Sequence, residues 1–257
     1  MAEVFQSIKC PNCGAPLSIV PGELVLTCEF CGSDVNTTTG AKYTFNHSII
    51  PARYKNPETI DPFVKNWMSS GFLKPPDLAR KSKIIETSLY LLPFFIFRVS
   101  ASTKYHGYMT RTGANQERKG DFQKDYYWKI LARRDSMFPV AEYSVPLKSK
   151  VPFSLEHVPK TATFLNGELD EDAAREIARQ ELDSHHRHLL SDAVDTFTKT
   201  DTVLDIKSTE FLHAPIWFIK YQYGSRLFEL VLDAAGGAYI WATFPTTQEK
   251  RGFFRRK

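Results

Sequence analysis

Apolar residues recur along this chain in distinct rhythms, and each predicts a different element. Phe63, Val64, Trp67 and Met68 fall at helical spacing, which predicts a helix over 59–70 with Asp61 or Thr59 as cap, Pro62 early and Gly71 as stop. Ala174, Ile177, Ala178, Leu182 and Leu189 make a second stripe and predict a helix over 171–190. Asp170, Glu171 and Asp172 stand at its start, where carboxylates suit the positive end of the peptide dipoles. Between the helices, aromatic and β-branched residues crowd from Ile84 to Val99, predicting a strand that runs on to Tyr108 with Pro93 at an edge or bulge. Polar Thr110–Gly120 reads as a hairpin loop, and Phe122, Tyr126, Trp128 and Ile130 alternate on the returning strand.

The later part of the chain echoes the earlier one. Pro215-Ile216-Trp217-Phe218-Ile219-Lys220 repeats the character of Pro93-Phe94-Phe95-Ile96-Phe97-Arg98, with a base five residues after each proline. Turns at Gly224-Ser225 and Ala235-Gly236-Gly237 then give a three-stranded meander. The expected fold is α+β: an N-terminal ribbon over 1–40, a first helix-plus-antiparallel-meander half over 41–150, a second over 151–245 and a basic tail over 246–257.

The first stretch brings in metal chemistry. Cys10-Pro11-Asn12-Cys13-Gly14 is answered by Cys28-Glu29-Phe30-Cys31-Gly32, and these pairs hold every cysteine in the chain. Two C-x-x-C knuckles around a short apolar insert, Leu17–Val20 and Leu24–Thr27, have the layout of a zinc ribbon. Four thiolates close a tetrahedral sphere and leave no position for substrate water, so the expected cofactor is one structural Zn2+ per chain. Spacing alone leaves iron open. With every cysteine committed to metal and the N-terminus lacking a leader-like pattern, the expected compartment is the reducing cytoplasm. The most apolar run, Leu89–Val99, is too short to span a bilayer.

The formal charge of +4 falls to about +2 once four thiolates and a zinc dication are included. Its distribution matters more. Lys104–Lys150 carries ten bases and five acids, Thr246–Lys257 five bases and one acid, and Glu168–Asp183 seven acids and two bases. Arg111, Arg118, Lys119, Lys124, Lys129, Arg133 and Arg134 are interleaved with Tyr126, Tyr127 and Trp128, a mixture suited to phosphates and unstacked bases. The plain alternative is a solvated hairpin with its aromatics in the core. Lys250, Arg251, Arg255, Arg256 and Lys257 add a phosphate-binding arm, a solubilising end or, with Phe253 and Phe254, a weak membrane anchor.

Catalytic patterns are sparse. Glu181, His185 and His188 share one helical face, yet a solvated flank near a helix C-terminus explains them better than a metal site. No G-x-S-x-G elbow or G-x-x-x-x-G-K-[ST] loop occurs, and no cysteine is left over as a nucleophile. His47, His106, His157 and His213 stand singly and read as structural.

Trp67 with Gly71, Tyr90 with Pro93 and Phe94, Pro215 with Trp217, Tyr223 with Gly224, and Asp233 with Gly236 and Gly237 complete a wider pattern. Together with the cysteines it resembles a family of bacterial and archaeal proteins that begin with a ribbon of the transcription-factor-IIB or rubredoxin kind and are sometimes labelled primosomal-helicase-like. The resemblance implies a ribbon followed by a two-half α/β body and supplies no catalytic residues. The expected function is non-enzymatic docking on a nucleic-acid or ribonucleoprotein assembly, RNA above all. The alternative is a protein–protein adaptor, possible at a membrane surface, in which the ribbon is only a structural module. An enzyme is the third reading.

Overall fold

The computed structural model describes residues 6–111, 113, 115–134 and 138–246. Four short strands come first: β1 (Gln6–Lys9), β2 (Pro16–Ile19), β3 (Val25–Thr27) and β4 (Asp34–Asn36). Then follow β5 (Asn46–Ile49), α1 (Pro57–Ser69), α2 (Leu78–Lys81), β6 (Lys83–Met109) and β7 (Gln116–Leu131). The chain continues through β8 (Val151–Pro152), β9 (Ala162–Phe164), α3 (Glu171–Leu189), β10 (Thr196–Tyr223), β11 (Arg226–Asp233) and β12 (Tyr239–Ala242). β1 pairs with β2 and β3 with β4, each antiparallel, so every knuckle is the turn of its own hairpin. The remaining strands form one eight-stranded sheet, mostly antiparallel, in which β9 runs parallel to β6.

Local chemistry moves several predicted boundaries. α1 starts earlier than its apolar stripe suggests, because Asn56 is the cap and Pro57 takes a first-turn position, where its missing N–H is no loss. α3 begins as expected, with the Asp170 carboxylate accepting from the Ala173 amide at 2.8 Å. Glu117–Gly120 lie in β7 rather than in a loop, since Tyr108 pairs with Glu117 and Met109 with Gln116. Polarity here marks a solvated strand. For the same reason β10 begins at Thr196, far ahead of its apolar half. Pro93 is buried within β6, between the residues that pair with β9 and those that pair with β7: it offers no N–H, but its carbonyl accepts from Ala132 N at 2.9 Å. Pro215 does the same for Ala234 N, also at 2.9 Å.

Chain contacts define two compact units, each drawn from three segments. The first lies within Met1–His47, Pro93–Arg134 and Asn166–Leu212, and the second within Ser48–Leu92, Asp135–Leu165 and His213–Lys257. In the second unit, α1 buries Ile60, Val64, Trp67 and Met68 with Trp217, Ile219, Tyr221, Leu230 and Leu232. In the first, α3 buries Ala174, Ala178 and Leu182 with Phe95, Phe97, Val99, Ala101 and Ile130.

The lead-in to each helix is tied down in the same way. Arg53 N and Tyr54 N both donate to Ala234 O, at 3.1 and 3.0 Å, while Glu168 N and Leu169 N both donate to Ala132 O, at 2.6 and 3.3 Å. The body is thus mostly one large antiparallel sheet, not two helix-plus-meander halves in chain order. The physical reason is an exchange: the strand after Pro215 covers the apolar face of α1, and the strand after Pro93 covers that of α3.

Candidate metal centre and its surroundings

The cysteines sit in two matching turns. Gly14 N donates to Cys10 O and Gly32 N to Cys28 O, both at 2.8 Å, with φ of 75° and 73° that a side chain would strain. Each first cysteine also collects amide donors: Asn12 and Cys13 point theirs at Cys10, and Phe30 and Cys31 at Cys28. The four ligand atoms lie within 4.8 Å of one another, with Cys10 Sγ–Cys31 Sγ and Cys13 Sγ–Cys28 Sγ both 3.7 Å. A tetrahedron of sulfurs about 2.3 Å from a zinc ion has edges of about 3.8 Å, so the separations suit one ion. They are far too long for disulfides, whose sulfurs approach to about 2.05 Å.

Protonation runs unevenly through the group. Burial pushes Cys28 up to about 12. Burial opposes ionisation of Cys31 as well, yet the Ser33 hydroxyl and amide and the Asn12 side chain hold it down to about 6. The Ser33 hydroxyl lies 2.8 Å from Cys31 Sγ. Four thiols this close cannot all ionise unless a cation stands among them. Cys10 and Cys28 are buried, whereas Cys13 and Cys31 lie at the surface.

The ribbon is built into the first unit. Leu24 N and Val25 N donate to Gly167 O at 2.7 and 3.0 Å, and Gly167 N returns a bond to Val25 O at 2.8 Å. Val25 is fully buried in the cluster that holds Phe95, Phe211, Leu169 and Ala174. Thr27 N donates to Asn166 Oδ1 at 3.0 Å, and Asn166 Nδ2 to Glu23 Oε1 at 3.0 Å. Asp34 accepts from the Thr27 hydroxyl at 2.8 Å and pairs with His47 at 3.0 Å.

The basic residues of the hairpin are not gathered into one surface. Arg111 is paired with Asp195 and donates to Ser191 O, and Arg133 meets Glu168 at 2.6 Å and Asn166 O at 3.1 Å. Arg118 donates to Gln116 at 2.7 Å. Strand alternation puts Lys119 and Lys129 on the face opposite Arg118 and Lys124. Lys129 is half-buried, which lowers its pKa, and Lys124 lies 5.5 Å over the Tyr126 ring. Arg134 faces solvent.

Of the aromatics, Tyr126 and Trp128 pack on His185 of α3, and Trp128 Nε1 donates to Glu181 at 2.8 Å. Tyr127 alone is 65% exposed, beside a shallow groove of about 250 Å3 lined by Arg98, Ser100, Asp125 and Lys207. Lys250, Arg251, Arg255, Arg256 and Lys257 lie outside the described residues. Glu181 and His185 are engaged with β7, and among the described residues the cysteines are the one group of three or more His, Cys, Asp or Glu placed to hold a metal.

Sequence reasoning missed a buried polar chain at His186. That side chain is 0% exposed, with Nδ1 2.7 Å from Thr103 Oγ1 and Nε2 2.9 Å from the Tyr126 hydroxyl. Thr103 meets Thr202 at 2.7 Å, and Thr202 donates to Asp183 at 2.7 Å. Because Asp183 only accepts, each hydroxyl has one direction left: Thr202 donates to Asp183, Thr103 to Thr202, His186 Nδ1–H to Thr103, and Tyr126 to Nε2. The signal was present, since His186 continues the four-residue spacing of Ala174, Ala178 and Leu182.

Among the described residues no helix is long and apolar enough to cross a membrane. Comparison with protein-family models, curated proteins and solved structures finds no match to this chain.

Proposed function

We propose that this protein is a non-enzymatic adaptor, ordered by one structural Zn2+ on Cys10, Cys13, Cys28 and Cys31, whose α/β body docks on a protein assembly in the reducing cytoplasm. The observation that carries the reading is the closure of the cysteine centre: four sulfurs within 4.8 Å supply a full tetrahedral sphere and leave no position at which a substrate could be activated. The ribbon then serves the stability of the first unit through Val25.

Docking on nucleic acid is the second reading. It is favoured by one specific observation, the exposed Tyr127 ring beside Arg98 and Lys207. Asp125 in the same groove opposes phosphate there. The two readings separate in a capture from native extract with and without nuclease. The adaptor reading expects the captured complex to survive nuclease and high salt, and its loss on nuclease treatment transfers the case to nucleic acid. Metal analysis of the purified chain should return one zinc, and iron in its place would overturn the cofactor assignment.

A further inference from the structure

Large apolar side chains are exposed unevenly over the second unit. Phe72, Leu73, Ile84 and Ile85 are exposed within a stretch of fourteen residues, Phe72 to 90%. The same stretch, Phe72–Ile85, carries Lys74, Arg80, Lys81 and Lys83 against one acid, Asp77, whose carboxylate pairs with Lys81 at 2.7 Å. Arg80, Lys81 and Lys83 all face solvent. The turn between β10 and β11 joins this end of the unit: Tyr223 OH donates to Asp77 at 2.7 Å, and Lys220 pairs with Glu86 at 3.2 Å. Leu227, opposite Gln222 in the ladder, adds another exposed apolar side chain, and Arg226 another base.

The loop that presents Phe72 is held in shape. Gly71 turns the chain at φ 96° directly after α1, and the Lys74 ammonium lies 3.5 Å over the Trp67 ring and bonds to Trp67 O. Pro75 is buried behind it. Phe72 and Leu73 therefore project from a turn anchored at both ends.

We infer that this end of the second unit docks on an anionic lipid surface, with Phe72 and Leu73 inserted at the headgroup boundary and Arg80, Lys81 and Lys83 against the lipid phosphates. An exposed aromatic tip on a stretch whose exposed charges are mostly basic combines the two attractions that peripheral membrane binding needs. Acidic nucleic acid would match the bases but gain nothing from an aliphatic side chain such as Leu73. The inference goes beyond the adaptor reading, which names a protein partner, and adds a lipid surface at which the same chain docks.

Co-sedimentation of the full chain with vesicles of phosphatidylcholine, alone or mixed with phosphatidylserine, tests it. The full chain should sediment with the mixed vesicles, leave them as salt is raised, and stay in solution with phosphatidylcholine alone. Phe72→Ser should weaken binding about tenfold, the order expected for an aromatic ring left in water. The double variant Arg80→Glu, Lys83→Glu should weaken it further, and both changes fall on exposed side chains that leave the fold intact. Every variant keeps the basic C-terminal stretch, so these losses belong to the surface described here. Equal binding to neutral vesicles, no sedimentation with either, or indifference to both variants overturns the inference. Capture of an acidic protein through the same side chains without vesicle binding also overturns it, yet leaves the adaptor reading standing. A capture abolished by nuclease removes the adaptor reading instead.

Discussion

Removing the metal should loosen more than the ribbon. If the cysteines hold the proposed ion, Cys28→Ser, or chelation of the wild type, should dissolve the hairpin that holds β3, and β3 places Val25 in the core of the first unit. Uncovering a fully buried valine costs about 2 kcal/mol. The three backbone bonds between Leu24, Val25 and Gly167 contribute about 1 kcal/mol each, and the Thr27–Asn166 bond about 1 more. The total of about 6 kcal/mol is a large fraction of the roughly 5–15 kcal/mol that holds a typical domain folded. Gly167 stands three residues before the Asp170 cap, so the loss should reach α3. Amide hydrogen exchange is the assay. On chelation, protection should fall within residues 8–36 and also along Glu171–Leu189. Unchanged protection of α3 while the ribbon exchanges freely would refute the reasoning and make the ribbon an appendage.

Two further substitutions test the body. At Gly107 a Cβ would stand 2.3 Å from Thr196 O and 2.6 Å from Val194 Cγ1, so Gly107→Ala should cost about 3 kcal/mol and lower Tm by roughly 6–12 °C. A change smaller than about 2 °C counts against that packing. At His186, burial holds the imidazole pKa below its ordinary value, with the charges of His185 and Lys124 acting in the same sense and Asp183 against them. Thr103, Thr202, Phe122 and Tyr126 complete its surroundings. The unfolded chain binds the proton more readily, so His186 contributes stability that is full above pH ~6.5 and lost as pH falls below it toward the folded value. His186→Phe should flatten that part of the pH–stability curve. An unchanged slope excludes His186 as its source.

The knuckles were legible because their geometry is local, and the structure shows how local. The turn that carries Cys10 and Cys28 recurs at Asn36, where Oδ1 accepts from Thr38 N and Thr39 N at 2.9 and 3.0 Å and Gly40 N donates to Asn36 O at 2.8 Å. It recurs at Asp233, whose carboxylate takes Ala235 N and Gly236 N while Gly237 N donates to Asp233 O. An acceptor followed four residues later by glycine is a turn in its own right, and cysteine at the first position turns it into a candidate metal ligand. The apolar stripes of both helices were legible for the same reason. The course of β10 was not, because Thr202 and Thr103 face the core and satisfy each other, and polarity read one residue at a time suggests solvent. Lys119 and Lys129 looked like neighbours of Arg118 and Lys124 because composition carries no record of which face a strand residue occupies.

Which strand covers which helix was also hidden, since apolar stripes do not name their partners. The exchange of partners has a direct consequence for fragments. Residues 41–150 contain α1 but none of Trp217, Ile219, Tyr221, Leu230 or Leu232, the side chains that bury Ile60, Val64, Trp67 and Met68. Leaving four such side chains in water forfeits about 8 kcal/mol, more than a fragment of this size can recover elsewhere. Expressed alone, 41–150 should show no cooperative thermal transition by circular dichroism, and mixing with 151–245 should restore helical signal. A sharp transition in the isolated fragment would mean that α1 finds cover within its own segment. The matching bonds at Ala132 and Ala234 would then describe two self-sufficient halves rather than an exchanged pair.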